Sequence, residues 1–169
     1  LPRFELESGE INLHREWQSV EELIGAALER TATLLGSRTI TVELPADLPL
    51  IEVDGLLLEQ LLINLLENAA RYTPESANVS VKAHAEPSSI VIEVADNGPG
   101  FRDGQESRVF DRLYTGNKKG GGIGLGLTIC RAVAEAHGGS IAAMNRAEGG
   151  ARFVVSLPRS QSQPKVAHG

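Results

Sequence analysis

The spacing of apolar and polar positions changes several times along the chain, and each change marks an element. Ser19 is an N-cap residue with Glu22 three positions on, a capping box, and it opens a helix that runs to Leu35 and stops at Gly36. Residues 39–44 (TITVEL) alternate and are β-branched, which predicts a strand. Pro45 to Pro49 is loop, and a short strand, Leu50 to Val53, leads to Asp54, a cap for a second helix. That helix ends before Pro74, because the residue preceding proline resists helical geometry. Strands at 78–85 and 90–96 flank the turn around Pro87 and predict a hairpin. Regular patterning then stops from 98 to 126, where nine of the 18 glycines fall, with Gln105 to Phe110 as a candidate short helix. A third helix spans Leu125 to His137, and strands at 140–145 and 151–157 close the pattern. Residues 12–17, with Leu13 and Trp17 apolar, are expected to cross an edge of the fold. Three helices and about five strands predict an α+β fold, a two-layer sandwich with the helices on one face of a mixed sheet.

The second helix carries an interruption that its packing does not require. Within QLLINLLENAARY, residues 60–72, the polar residues Asn64, Glu67, Asn68 and Arg71 recur at i, i+3, i+4 and i+7, which places them on a single face. The plain reading is a solvated face of an amphipathic helix. Two asparagines count against it, since Asn is a poor helix former with no solubility advantage over Lys or Glu. Amide and carboxylate oxygens are suitable ligands for a hard cation such as Mg²⁺, so the stripe reads as one wall of a site.

Composition narrows the alternatives. A length of 169 residues suits one domain with a sizeable core, and 41% hydrophobic with 22% charged residues is ordinary for a globular protein. The net charge of −6 argues against a nucleic-acid partner. Asn64, Glu67 and Asn68 break the longest apolar run, leaving none of the ~18 residues that a bilayer crossing needs. The single cysteine, Cys130, excludes an internal disulfide and fits a reducing compartment as a small core residue. The four histidines, at 14, 84, 137 and 168, are scattered without metal-ligand spacing. Residue 1 is Leu, so the sequence is read as part of a longer chain, with 159–169, lacking periodicity, as a disordered tail.

Three glycine-rich elements follow the polar-faced helix. DNGPG (96–100) ends a strand and, alone, is a turn. GIGLGL (122–127) precedes a helix, where its glycines would leave N-terminal amides open to an anion. It is neither the dinucleotide fingerprint, which needs a strand just before it, nor a P-loop, which needs Lys-Ser/Thr after the glycines. Glu148-Gly149-Gly150 precedes the last strand.

In this order, NLLENAARYTP, DNGPG, VFDRLYTG, GGIGLGL and EGGARF resemble the N-box, first glycine box, F-box and second and third glycine boxes of sensor histidine kinases. That family shares an ATPase superfamily with Hsp90, gyrase and MutL. The resemblance covers about residues 12–158, and the wording VDGLLLEQLLINLLENA and AEAHGG looks most like the potassium-responsive kinases within it. It implies a Bergerat-type ATP-binding fold that binds Mg-ATP and transfers the γ-phosphate to a histidine on a separate dimerisation domain. By the same resemblance Asn68 would hold Mg²⁺, and Asn64 would support the triphosphate side. Arg71 would neutralise phosphate, and Tyr72 would lie against adenine. Asp96 would accept a hydrogen bond from the adenine amino group, with Gly98 and Gly100 admitting the base. Gly122, Gly124, Leu125 and Gly126 would bound the phosphates. Glu67, with Asn64, is the candidate catalytic pair.

Two departures from the family pattern bear on mechanism. The gyrase and Hsp90 branch carries a water-activating glutamate where this chain has Asn64, which favours a kinase over the alternative, an ATP-hydrolysing conformational clamp. The usual lid arginine is replaced in Tyr114-Thr115-Gly116, leaving Lys118 or Lys119 to supply the charge. None of the four histidines is followed by an acidic residue on a dimerising hairpin. The phosphoacceptor is therefore expected outside this sequence, and residues 1–11 are read as the end of the upstream hairpin and its linker. The resemblance further implies a monomeric fragment of a homodimeric kinase. It implies a cytoplasmic domain of an inner-membrane sensor that reaches a response regulator indirectly.

Overall fold

Strong caps set the helices where the pattern places them. In the computed structural model, which describes residues 12–102, 104–106, 108–110 and 125–159 (of Leu125 the backbone only), α1 spans Val20–Leu35. The Ser19 hydroxyl accepts from the Glu22 amide at 3.2 Å, and Gly36 ends the helix at φ 57°. The second helix, α2, spans Gly55–Tyr72, and Asp54 Oδ1 accepts from the Leu57 amide at 3.1 Å. Thr73 is extended, at φ −127° and ψ 152°, as its place before Pro74 demands. The third helix, α3, spans Leu125–Ala136.

Seven strands form among the described residues: β1 (Glu16–Gln18), β2 (Thr39–Glu43), β3 (Ile51–Val53), β4 (Asn78–Ala85), β5 (Ser89–Asp96), β6 (Ser140–Asn145) and β7 (Ala151–Pro158). Five make one sheet in the order β2-β4-β5-β7-β6. Only β2 and β4 pair in parallel, with Ile40 opposite Val79, and the other three pairs are antiparallel. The sheet is therefore mixed and open, and with three helices on one face it is the α+β sandwich that the periodicity predicts.

Two expectations are refined. The strand ending at Val53 does not join the main sheet but pairs with β1, so the stretch that crosses the edge forms a small second sheet, with Trp17 opposite Glu52. The described residues between 104 and 110 form isolated turns, Gln105 N–H to Arg102 O and Arg108 N–H to Gln105 O, rather than a helix. Val109 and Phe110 are drawn into the core instead, where the Phe110 ring meets Phe153 edge-on at 6.0 Å.

Alternation decides which face of the sheet is covered. Val79, Val81, Ile90, Ile92, Val94, Phe153, Val155 and Leu157 are all buried, while Lys82 and His84 between them are exposed. Against this face lie Leu58, Leu61, Leu62, Leu65 and Leu66 of α2, none more than 2% exposed. Burying each such side chain contributes roughly 1.5–3 kcal/mol. The central helix is thus anchored by its leucines, and its remaining face turns toward α3.

Candidate functional site

The polar stripe of α2 divides into residues that hold the fold together and residues that do not. Asn64, 9% exposed, accepts from Gln60 Nε2 at 2.9 Å and donates through Nδ2 to the Gly126 carbonyl at 3.2 Å. This ties α2 to the first turn of α3 and brings Gly126, a glycine of the second element, beside the stripe. Glu67 and Asn68 are half-buried, and among the described residues neither side chain has a hydrogen-bond partner. Arg71 is exposed and Tyr72 half-buried at the end of the same helix. Next to the stripe, burial pushes the Cys130 thiol far above its usual range, against the Asn64 hydrogen bond and with a smaller push from the Glu67 charge. The thiol donates to the Leu61 carbonyl at 3.5 Å, as a small buried core residue.

The DNGPG loop is held from three sides. Asp96, 6% exposed, accepts through Oδ1 from the Gly98 amide at 2.9 Å and the Ala151 amide at 3.2 Å, while no described residue donates to Oδ2. Arg146 Nη1 donates to the Asp96 carbonyl at 2.8 Å. Asn145 brackets Phe101, its Oδ1 accepting from the amide at 2.7 Å and its Nδ2 donating to the carbonyl at 3.1 Å. A Cβ on Gly98 would lie 2.7 Å from Thr73 Cγ2, and one on Gly100, at φ +76°, would lie 2.6 Å from Asn145 Oδ1. A Cβ on Gly150 would run into the Asp96 carbonyl. In this structure the glycines of the first and third elements let chain approach chain, fixing the carboxylate of Asp96. The sequence reading missed Thr73, Asn145 and Arg146 in this frame. Their available signals were a threonine at a helix end before proline and a polar pair closing a strand.

At the other end of α2, Asp54 is a junction. Its Oδ2 accepts from the His14 amide and its own amide donates to His137 Nε2, both at 3.0 Å. The His137 Nδ1 donates to the Val133 carbonyl at 2.8 Å, so the ring is neutral with its proton on Nδ1. Burial lowers the His137 pKa below 6.5; the Val133 carbonyl opposes this, and the smaller effects of Arg15 and Asp54 act downward and upward respectively. The expected phosphate-side residues Lys118, Lys119, Gly122 and Gly124 lie outside the described residues, as do positions 160–169 of the expected tail. Arg159 is tied down, its amide bonding Ser88 O and its side chain Glu86 O.

Residues 53–161 match the family model described as histidine kinase-, DNA gyrase B-, and HSP90-like ATPase, which takes in α2 and both described glycine loops. The chain belongs to this ATPase family. Its relatives within the family are sensor kinases. It is 47% identical over 163 residues, 95% of its length, to the sensor protein KdpD of Escherichia coli strain K12. It is 34% identical over 157 residues to KdpD of Clostridium acetobutylicum. It spans only 18% and 17% of those two proteins. Among solved structures it is similar to the mycobacterial sensor histidine kinase MprB, with a TM-score of 0.76 and 25% identity over 89% of this chain and 99% of that one. Full-length ShkA in complex with AMPPNP gives a TM-score of 0.79 and 27% identity over 91% of this chain and 33% of that one. Within the ATPase family, this chain is a catalytic domain of the histidine-kinase type.

Proposed function

We propose that the domain binds Mg-ATP and delivers its γ-phosphoryl group to a histidine on a separate helical dimerisation domain of the same kinase. The observation that carries the reading is the divided stripe on α2. Asn64 is consumed in holding Gly126, while Glu67 and Asn68 beside it keep their hydrogen-bonding capacity. Their polar atoms are not sealed from solvent, so they are open to water or to a ligand, as a binding site requires.

The donor set fits the group. The Asn68 amide oxygen would hold Mg²⁺, which when bound neutralises charge on the phosphates. The Asp96 carboxylate, fixed through Oδ1, would offer Oδ2 to the adenine amino group. Tyr72 would lie along the base and Arg71 would meet phosphate. Asn64 would act on the phosphate side through its hold on Gly126, with Lys118 or Lys119, Gly122, Gly124 and Leu125 completing that side. Glu67 is the residue assigned to orient or deprotonate the attacking group. The AMPPNP complex of ShkA supports the nucleotide class. In the whole kinase the domain would act on the cytoplasmic side of a membrane-bound homodimer, with the phosphohistidine passing its group to a response regulator.

Titration calorimetry with Mg-ATP, on the wild type and on Asn68→Ala, tests the site. The variant should bind more weakly with its fold unchanged, and equal Mg-dependent affinity would remove Asn68 from the site. ATP should outcompete GTP tenfold or more against a fluorescent analogue, since a carboxylate repels the guanine carbonyl and charge-assisted bonds contribute about 1.5–3 kcal/mol. The isolated domain should not label itself. Mixed with the upstream helical domain of its own kinase, it should form acid-labile phosphohistidine there; steady phosphate release without an acceptor would instead favour a hydrolytic clamp.

A further inference from the structure

Arg38 sits in the turn between α1 and β2 and aims its whole guanidinium at two helix ends. Nη1 donates to the Leu34 and Leu35 carbonyls at 3.2 and 3.1 Å. Nη2 donates to the Ala70 and Thr73 carbonyls at 2.8 and 2.6 Å, and Nε donates to Thr73 Oγ1 at 2.9 Å. The last turn of any helix leaves carbonyls without intrahelical partners. One side chain here answers them in both α1 and α2, and the last turn of α1 contains no basic residue of its own. A lysine has no planar fork with which to reach both ends.

The arrangement extends to Asp96 through one residue. The Thr73 hydroxyl donates to the Ala69 carbonyl at 2.6 Å while accepting from Arg38 Nε, which fixes the rotamer and hence the methyl group. That methyl occupies the space where a Gly98 side chain would begin, since an added Cβ would lie 2.7 Å from Cγ2. The Gly98 amide in turn donates to Asp96 Oδ1. Arg38 thus reaches the carboxylate through Thr73 and Gly98.

We infer that Arg38 is a positioning residue for base selection, setting the Asp96 carboxylate without touching the nucleotide. The inference rests on the proposed nucleotide site. It gives α1, which supplies no ligand, a part in determining which base is accepted. It also explains why the α2 helix ends on a threonine rather than on a purely apolar residue. The Thr73 side chain bonds at one end and faces Gly98 at the other.

The test compares the wild type with Arg38→Lys, Arg38→Gln and Thr73→Ser, the last keeping the hydroxyl but lacking the methyl. Val81→Ala, a core truncation outside the Arg38, Thr73 and Gly98 contacts, controls for stability. Two readouts are taken under conditions where every variant is folded. One is the amide resonances of Gly98 and Ala151, and the other is the ratio of ATP to GTP affinity from displacement of a fluorescent adenine nucleotide. Both Arg38 variants and Thr73→Ser should move the Gly98 resonance and narrow the ratio several-fold, while Val81→Ala leaves both near the wild type. An Arg38→Gln protein with an unmoved Gly98 resonance and the wild-type ratio would overturn the inference. So would an equal narrowing in Val81→Ala. Should Arg38→Gln not fold, Thr73→Ser decides alone by the same two readouts. Failure of the wild type to bind any nucleotide would sink the nucleotide reading and the inference's claim on selectivity. The Gly98 resonance would still show whether Arg38 positions the loop.

Discussion

Asn64 and Asn68 stand one turn apart on the same face and do different work. The sequence showed both as amides where a helix has no structural need for them, but not which was occupied. Asn64 finds its partner at Gly126, 62 residues away, and no local pattern can reveal a contact of that span. Replacing Asn64 with Ala removes bonds to Gln60 and Gly126 in a buried setting, where one lost hydrogen bond costs about 1 kcal/mol. Asn64→Ala should therefore lower unfolding stability by about 1–2 kcal/mol in urea titrations, whereas Asn68→Ala should stay within ~0.5 kcal/mol of wild type. His137 was legible only as a scattered histidine, and it proves to be a neutral acceptor for the Asp54 amide. Its folded pKa is lowered, so its contribution is fully present above pH 6.5, where both states are neutral. Below that the unfolded chain takes up a proton that the folded one resists, and stability falls with pH. Denaturant titrations at pH 7.5, 6 and 5 should show a steeper loss in wild type than in His137→Gln.

At the scale of elements, what was readable was whatever is set locally. Ser19, Gly36, Asp54 and Pro74 fixed the ends of α1 and α2 because capping acts within four residues. The pairing of β1 with β3 was not readable, since three-residue strands carry too little alternation to name a partner. The glycine loops stood out in the sequence as candidate ligand contacts, and the structure adds a reason internal to the chain. Glycine at 98, 100 and 150 is required by neighbouring protein atoms as much as by any ligand. Gly100→Ala faces a positive φ and a Cβ 2.6 Å from Asn145 Oδ1, the atom that holds Phe101. A left-handed non-glycine residue alone costs about 1–2 kcal/mol. The variant should lose about 2 kcal/mol or more in thermal or urea unfolding. It should also bind Mg-ATP more weakly, because the bracket at Asn145 and the Asp96 loop shift together; unaltered stability would mean that the loop can re-route around the clash.

In the molecule as a whole, the five-stranded sheet mixes local and distant pairings. The hairpins β4-β5 and β6-β7 join strands that are neighbours in the chain, whereas β2 meets β4 in parallel only after α2 has been laid across as the connection between them. Loop closure has to be completed before such a pairing returns any free energy, so it comes late in folding. The helix carrying Asn64, Glu67 and Asn68 is that connection, which puts assembly of the proposed site near the final step. A ligand held there is absent from the folding transition state and acts only once the barrier is crossed. Saturating Mg-ATP should accordingly leave the refolding rate nearly unchanged and slow unfolding. Stopped-flow measurements of both arms check this, and a nucleotide that accelerates refolding would place α2 in the nucleus. Such a domain would hold its shape against heat and proteases chiefly while charged with nucleotide, so its lifetime would follow the energy state of its surroundings.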